Sequence, residues 1–480
     1  MTVDVLHPEA ALAIALGLPV ITALTVLALA SRPNARDTAT MIGAAATFLA
    51  SCSLVPSVRA GEGVDLRLLE LFGGEWLAFH VEPLGMLFGL VASGLWLVTC
   101  VYAIGYMRAH HERALGRFFA FFAIAIGAAL GVAYAANLVT LFLFYEALTF
   151  STFPLVTHRQ SDEARRAGRV YIGVLVATST TFFLFAILWT WRLAGTTELR
   201  AGGLLPAGVA DGTVTVLLLL YAFGIGKAAL MPFHRWLPAA MVAPAPVSAL
   251  LHAVAVVKAG VFTVLKVTTC VFGLDRLQAM GRSLLEGTTP LVLVASFTIV
   301  AASVVALQQD NLKARLAYST IGQLSYIVLG AALATPQALL GGSLHMLTHA
   351  AGKITLFFCA GAIYLAEHKT RVSELDGIGR RMPWTMTAFL LASLSIIGLP
   401  PFGGLWSKWY LVLGALEAGR GWVVGVLVAS ALLNAAYLLP ISLRAFFSGP
   451  CGAAGRGGEA PAACVVPLVL TAASCVALFF

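Results

Sequence analysis

Long apolar stretches recur from one end of the chain to the other. A helix needs about 20 mostly apolar residues to cross the hydrocarbon core of a bilayer, and we count fourteen stretches of this kind. The first has no basic segment before it and no cleavage pattern, so we interpret it as helix 1 rather than a signal peptide. The pattern predicts an all-α polytopic membrane protein with about 14 transmembrane helices. These begin near residues 9, 38, 82, 115, 136, 168, 213, 246, 286, 312, 338, 384, 420 and 462.

Composition and charge agree with this interpretation. Hydrophobic residues make up 60% of the 480 residues and charged residues only 11%, whereas soluble proteins have about 25% charged residues. The net charge of +8 could suggest a nucleic-acid partner, but eighteen of the thirty Lys and Arg residues fall in loops of one side and eight in the opposite loops. This distribution follows the positive-inside rule. We therefore expect both termini on the outer face and no nucleic acid among the partners.

The sequence predicts no redox centre, metal site or cofactor in this chain. Its seven cysteines lack the spacing of metal, haem or disulfide motifs. The stretch FGIGKA at 223–228 lacks the GxxxxGK[ST] spacing of a phosphate loop and lies within an apolar run. We predict no catalytic residue, which leaves open whether the chain belongs to an enzyme.

Five charged residues fall well inside apolar spans: Glu146, Lys227, Lys258, Lys353 and Lys408. At about 3 kcal/mol for each charge at mid-membrane, an unpaired set would cost on the order of 15 kcal/mol. Lysines near a helix break could extend their long stems to an interface, and the set could instead form static pairs. We favour a relay, in which buried lysines bind and release protons as a carboxylate approaches or withdraws.

Histidines extend this pattern. His345, His349 and Lys353 recur at i, i+4 and i+8, on one face of helix 11. We predict that His349 and Lys353 take part in the relay, and we interpret His345 alone as a hydrogen-bonded core residue. His252 lies six residues before Lys258 on helix 8, a spacing that places them on different faces. Water or another helix would have to join this histidine, which we also assign to the relay, to the lysine.

Proline interrupts two predicted helices close to buried lysines. In helix 7, Pro232 and Pro238 follow the lysine; in helix 12, Pro400 and Pro401 precede it. Proline removes a backbone donor, and open backbone at membrane depth is tolerated only where it is buried or lines a cavity. Breaks in matching halves of a chain indicate structural repeats around a transport path.

The spacing of these breaks predicts the domain organisation. The two lysines lie roughly 180 residues apart, and the proposed units begin five helices apart, an odd number, so the second unit must be inverted. We predict helices 1–3 in residues 1–114, a first five-helix repeat in 115–271, an inverted repeat in 286–447, and helix 14 in 462–480.

Four motifs give the chain a specific resemblance to a known family. They read GKAALMPFHRWLPAAMVAPAPVSALLHAVAVVKAG (226–260), DNLKARLAYSTIGQLSY (310–326), LHMLTHAAGKITLF (344–357) and GLPPFGGLWSKW (398–409). In this order they resemble the antiporter-like membrane subunits shared by Mrp-type Na⁺/H⁺ antiporters and respiratory complex I. The resemblance spans roughly residues 75–450. It implies a fold of fourteen helices with two inverted five-helix repeats and discontinuous helices 7 and 12.

The resemblance also implies roles for individual residues. Glu146 and Lys227 match the helix-5 glutamate and helix-7 lysine whose separation is thought to drive proton movement. Lys353 matches the central lysine of the second half, and Lys408 the helix-12 residue at the expected exit. The helix-8 lysine and its neighbouring histidine correspond to Lys258 and His252.

Among family members, the chain resembles the Mrp D subunit most, through HVEPLGMLFGLVASGLW at 80–96 and through HAVAVVK. The lysine at position 408 disfavours the M subunit of complex I, which usually has glutamate there. The family commonly reads WLPDAM where this chain has Ala239. A loop carboxylate near the helix-7 break is therefore missing, together with any cation contact that it would make.

These observations leave three classes of function. The resemblance implies a proton-translocating subunit of an Mrp-type monovalent cation/proton antiporter in the bacterial inner membrane, with other membrane subunits as partners and with protons and Na⁺ or another monovalent cation as transported ions. The same machinery could serve an NADH–quinone oxidoreductase, a membrane hydrogenase or an inorganic-carbon uptake complex, whose chemistry would lie on other subunits. A structural scaffold is disfavoured by the five buried charges and two helix breaks. We expect the proton route to pass Lys227, Lys258 with His252, His349 with Lys353, and Lys408.

Overall fold

The computed structural model describes residues 7–283, 289–449 and 458–480. Over this part of the chain, eleven helices are long and apolar enough to cross a membrane, and three shorter apolar helices accompany them. The predicted apolar stretches therefore form helices. The first six are α1 (Pro8–Ala28), α2 (Pro33–Cys52), α3 (Pro83–Ala109), α4 (Leu115–Ala133), α5 (Leu138–Val156) and α6 (Asp162–Ala194).

Local sequence signals set several helix starts. Proline occupies the first turn of α1, α2 and α3, where its missing N–H leaves no helical hydrogen bond unmade. The side chain of Asn137 accepts a hydrogen bond from the N–H of Thr140 at the start of α5, and that of Ser161 accepts from Ala164 at the start of α6. Such caps satisfy donors that the first helical turn leaves open.

A β-hairpin that the sequence analysis did not predict lies between α2 and α3. Strand β1 (Val64–Phe72) pairs antiparallel with β2 (Glu75–Val81) around Gly73 and Gly74, which both have positive φ. The hairpin is fixed over the α4–α5 junction, since the N–H of His80 donates to Tyr134 O and the N–H of Ala136 donates to Ala78 O. We call this side of the molecule the hairpin face.

Helix α7 is discontinuous, as predicted. Its first part (Asp211–Gly224) is followed by a short 3₁₀ turn (Gly226–Ala228), by Ala229 in the left-handed region, and by the short helical segments Trp236–Ala239 and Ala240–Val242. Pro232 lies in the non-helical part of the break and Pro238 in the first of the two short segments. The break exposes backbone groups in the protein interior.

Helix α8 (Ala245–Phe272) is buried along its whole apolar span. It contains two π-helical turns, Leu250–Val254 and Thr268–Phe272, and an amphipathic helix, Leu274–Ser283, follows it. A helix that is apolar all round and completely enclosed forms the centre of a bundle. The helices around it carry the other half of the site.

The remaining helices are α9 (Pro290–Gln308), α10 (Leu312–Leu333), α11 (Pro336–Glu367), α12 (Pro383–Ile397 and Gly404–Glu417), α13 (Gly421–Phe447) and α14 (Ala462–Ala477). The predicted break of α12 is confirmed, with Pro400 and Pro401 in the non-helical segment between its two parts. The predicted start of helix 9 and of the second repeat, at 286, lies outside the described residues. The division into two inverted repeats stays a prediction.

Candidate proton-transfer site

Lys227 lies in the break of α7 and is completely buried. Its ammonium donates to the carbonyl oxygen of Tyr145 at 2.8 Å and to Thr149 Oγ1 at 2.5 Å, both on α5. The same ammonium lies 3.2 Å from the centroid of the Tyr145 ring, where a cation is attracted by the face of the π system. Uncharged groups on α5 thus hold this lysine in the structure.

Gly260 on α8 allows this break to lie directly against the central helix. A Cβ atom at this position would lie 2.3 Å from the carbonyl carbon of Lys227 and 2.4 Å from the amide nitrogen of Ala228. Only a residue without a side chain permits such an approach of two backbones. The glycine therefore fixes the distance between the first lysine and the helix that carries the next one.

Glu146 does not form an ion pair with Lys227 in the part of the chain that the structure describes. The carboxylate is half-buried on the outer face of α5, beside Leu143 and Phe150, which are 44% and 55% exposed. Its Oε1 atom is buried without a hydrogen-bond partner among the described residues. The predicted pair is thus separated in this conformation, and its role stays a prediction.

Lys258 and His349 contact each other across the molecule, although 91 residues separate them in the sequence. The ammonium of Lys258 lies 2.5 Å from Nδ1 of His349, and both side chains are buried. Lys258 is near the middle of α8 and His349 near the middle of α11. Central helices of the two predicted halves are therefore joined by two titratable groups in direct contact.

His345 continues the contact series from His349 toward α12. The two imidazole rings are stacked with centroids 5.8 Å apart, and His345 also stacks on Tyr326 at 5.2 Å. Nδ1 of His345 lies 2.9 Å from the hydroxyl of Ser407, the residue before Lys408. We interpreted His345 as a core residue from the sequence, but the structure places it between two of the predicted relay residues.

Lys408 ends this series at the break of α12. Its ammonium donates to the carbonyl oxygens of Ile396 and Ile397 at 2.8 and 2.7 Å, and it lies 5.1 Å from the Tyr326 ring centroid. The carboxyl end of a helix segment carries partial negative charge and open carbonyls, which favour a cation there. Gly398 has φ of +92° and leaves space for the lysine stem, because a Cβ would lie 2.8 Å from its Cδ.

Lys353 lies one turn beyond His349 on α11 and points to a different set of partners. Its ammonium donates to Ser319 Oγ at 2.6 Å and to Leu316 O at 3.3 Å. The Tyr437 hydroxyl donates to the same serine at 2.8 Å. This lysine therefore forms a side branch of the histidine stripe rather than a direct contact with Lys408.

His252 lies in the first π-helical turn of α8. Both ring nitrogens are buried without a hydrogen-bond partner among the described residues, and the ring packs 4.5 Å from Phe357. The structure therefore brings together Lys258, His349 and, through two intervening side chains, Lys408, and it leaves His252 and Lys227 without a side-chain contact to that series.

Sequence reasoning missed three contributors to the site. Ser407 and Tyr326 join His345 to Lys408, but hydroxyl groups on apolar helices carry no distinctive signal in a single sequence. Lys266 was assigned to a loop at the end of helix 8, whereas α8 extends to Phe272 and buries it. Its spacing of eight residues from Lys258 was a signal for a shared helix face.

Comparisons with known proteins agree with this geometry. Residues 135–434 match the family described as NADH:quinone oxidoreductase/Mrp antiporter, transmembrane. The chain is 35% identical over 410 residues to NADH-quinone oxidoreductase subunit N of Desulforudis audaxviator, covering 81% of this chain and 79% of that protein. It is 32% identical over 384 residues to a probable K⁺/H⁺ antiporter protein of Rhizobium meliloti, covering 77% of this chain but only 36% of that protein.

Solved structures show the same fold. A chain in the Mrp complex from Dietzia sp. superposes with a TM-score of 0.86 at 24% identity, covering 100% of this chain and 95% of that one. A chain in the membrane-bound sulfane sulfur reductase, an archaeal respiratory membrane complex, gives 0.83 at 25% identity, covering 98% and 94%. The chain is an integral membrane protein that belongs to the antiporter-like transmembrane family shared by NADH:quinone oxidoreductases and Mrp antiporters.

Proposed function

We propose that this chain is the proton-translocating subunit of a multisubunit membrane complex. The observation that carries the proposal is the buried series that runs from α8 to α12. Its members are Lys258, His349, His345, Ser407 and Lys408. Amines, imidazoles and hydroxyls can each accept and donate a proton, so the series supplies stations where hydrocarbon would supply none. Membrane helices seldom bury such groups without a transport role.

Lys227 and Glu146 would control loading of this series. In the structure the ammonium is held by a carbonyl, a hydroxyl and an aromatic ring, none of which carries a full negative charge. Approach of the Glu146 carboxylate would favour the protonated lysine, and its withdrawal would favour proton release. Water would complete the path to Lys258, because Gly260 brings the two backbones together without bringing the two ammonium groups into contact.

The contacts favour a specific order of transfer. Protons would pass from Lys258 to His349, then through His345 and Ser407 to Lys408. Lys353, one helical turn from His349, would exchange protons with that histidine as a side station, so that its charge controls when His349 is protonated. His252 would contribute through water within the same buried region.

The position of Glu146 supports a neighbouring membrane chain on the outer face of α5. A carboxylate among exposed apolar side chains would cost about 2.5–3.5 kcal/mol if that face contacted lipid. A second membrane chain could cover it with polar groups and move with it. We propose that the complex lies in the bacterial inner membrane, that both termini of this chain lie on the outer face, and that protons enter near Lys227 from the cytoplasm.

We propose a complex of the Mrp type, in which proton movement is exchanged for Na⁺ or another monovalent cation, with this chain in the place of the D subunit. The fold shared with a chain of the Dietzia Mrp complex supports this choice. A redox-driven complex is the second candidate, favoured by 35% identity to a subunit N over most of both chains. Purification with native partners separates the two: cation-dependent proton exchange without redox subunits supports the first, and co-purifying NADH–quinone activity the second.

The relay itself is tested in the purified complex, reconstituted in vesicles that contain a pH-sensitive dye. His349→Gln should reduce proton transport at least tenfold, because glutamine cannot carry a proton between Lys258 and His345. His158→Gln is the matched control, since His158 is also buried but lies outside the series, packed on Phe118. Equal transport by the wild type and His349→Gln would refute the proposed route.

A further inference from the structure

A second buried lysine extends the relay stripe of α8 toward the hairpin face. Lys266 lies eight residues after Lys258, on the same side of the helix, and is 1% exposed. Its ammonium lies 2.5 Å from Oε1 of Glu82, the residue that joins β2 to α3. The lysine side chain is 2% exposed and the glutamate side chain 26%. The pair thus connects a dry helix interior with a carboxylate that is open to its surroundings.

Two cavities on the hairpin face meet at Glu82. One, of about 620 Å³, is also lined by Asp65, Glu75 and His80. The other, of about 460 Å³, is also lined by Asp275. Both volumes can hold several water molecules, and polar side chains line them. A proton on Glu82 would therefore have direct access to water.

Phe262 separates the two lysines of α8. It lies one turn from each, so that Lys258, Phe262 and Lys266 occupy one stripe, and it is completely buried. Its ring packs on Phe88 of α3 with centroids 5.1 Å apart. Eight residues of helix span about 12 Å, which a short chain of water molecules can bridge once the aromatic ring moves. Apolar constrictions of this kind close pores by excluding water.

The Lys266–Glu82 pair could simply fasten α8 to α3. A buried ion pair, however, adds little stability over apolar residues of similar volume, and a fastening pair has no need to lie on the stripe of Lys258 or to open into two wet cavities. We propose that Lys266 and Glu82, with Phe262 as the gate, form a second proton connection between Lys258 and the hairpin face. This inference rests on the function proposed above.

The transfer balances as a sequence of proton movements. The Lys266 ammonium passes a proton to the Glu82 carboxylate, which leaves an amine and a carboxylic acid. The acid releases its proton to cavity water. The Lys266 amine then accepts a proton from the Lys258 ammonium through water that passes Phe262, and the pair returns to its charged state. In the orientation proposed above, this branch opens on the outer face.

The test uses Lys266→Arg in the complete complex, reconstituted in vesicles with an entrapped pH dye. Arginine keeps the charge and the ion pair but cannot release its proton, so transport should fall at least tenfold while assembly stays normal. Glu82→Gln should give the same loss. The matched control is Arg444→Lys, which exchanges the same residue types in the Arg444–Asp376 ion pair outside the branch and should transport at the wild-type rate.

Each alternative outcome decides the question. Wild-type transport by Lys266→Arg overturns the branch, and so does a loss in Lys266→Gln that Lys266→Arg fully restores, because a fastening role needs only the charge. His349→Gln in the same preparation separates this failure from that of the proposed function. If His349→Gln is blocked and Lys266→Arg is active, only the branch fails; if His349→Gln is also active, both fail.

The gate has its own test. Phe262→Ala should increase the passive leak of protons into vesicles several-fold, because water can then fill the space between Lys258 and Lys266. Phe122→Ala, which removes a buried ring of α4 away from the branch, should leave the leak unchanged. An unchanged leak in folded Phe262→Ala, or an equal increase in both variants, would overturn the gate.

Discussion

Replacing Gly260 by alanine should stop proton transport without removing any chemical group from the relay. The added methyl carbon would lie 2.3 Å from the carbonyl carbon of Lys227, whereas carbon atoms in contact are about 3.5–4.0 Å apart. The α7 break and α8 must then separate by about 1 Å or more. A displacement of about 1 Å in a positioned group can reduce rates about 100-fold, and overpacking of this kind costs about 1–3 kcal/mol of stability. We therefore expect a transport loss far larger than the loss of folded protein.

Proton uptake by vesicles containing the purified complex measures the effect, and thermal unfolding of the same sample measures the stability. Gly173→Ala is the control, because Gly173 also lies within a helix but a Cβ there would meet no atom within 4 Å. It should transport normally and gain about 0.5–1 kcal/mol in helix stability. Wild-type transport by Gly260→Ala would refute the reasoning, because the close backbone approach would then have no part in the proton path.

Three further predictions follow from the site. Glu146→Gln and Lys227→Ala should each abolish transport while the complex still assembles, as judged by co-purification of its subunits, and near-normal flux in either assembled variant would contradict the pairing. The isolated chain in liposomes should transport poorly, because the energy input and the surface that covers Glu146 would come from other subunits; robust cation-dependent exchange by the chain alone would argue against this. Lys353→Ala and Lys353→Arg should both fail, since arginine keeps the charge but does not readily release a proton; recovery of transport in the arginine variant would show that the charge alone suffices.

Much of the fold could be predicted because its signals are local. Apolar length determines where helices form, and proline and glycine beside Lys227 and Lys408 determine where α7 and α12 break. The hairpin at 64–81 also carried a local signal, two glycines between alternating apolar residues. It was missed because its short strands are only partly apolar and do not stand out among runs of membrane-spanning length.

Tertiary contacts account for what the sequence did not show. Charge burial pointed to Lys258, but its contact with His349 depends on how α8 and α11 pack, and a single sequence carries no record of pairs 91 residues apart. The outward position of Glu146 depends in the same way on which face of α5 the neighbouring helices cover. His345 was set aside because one histidine has too many ordinary roles, and only its place between His349 and Ser407 distinguishes it.

The depth of the relay residues has a consequence for the energy of transport. Glu146, Lys258 and Lys353 all lie near the middle of their helices, so a proton that passes among them travels within the plane of the membrane. A full crossing against 100 mV requires about 2.3 kcal/mol of electrical work, but movement at constant depth crosses almost none of that voltage. The membrane potential would therefore act on the steps that load and unload the relay, while lateral transfer depends on the relative proton affinities of neighbouring side chains.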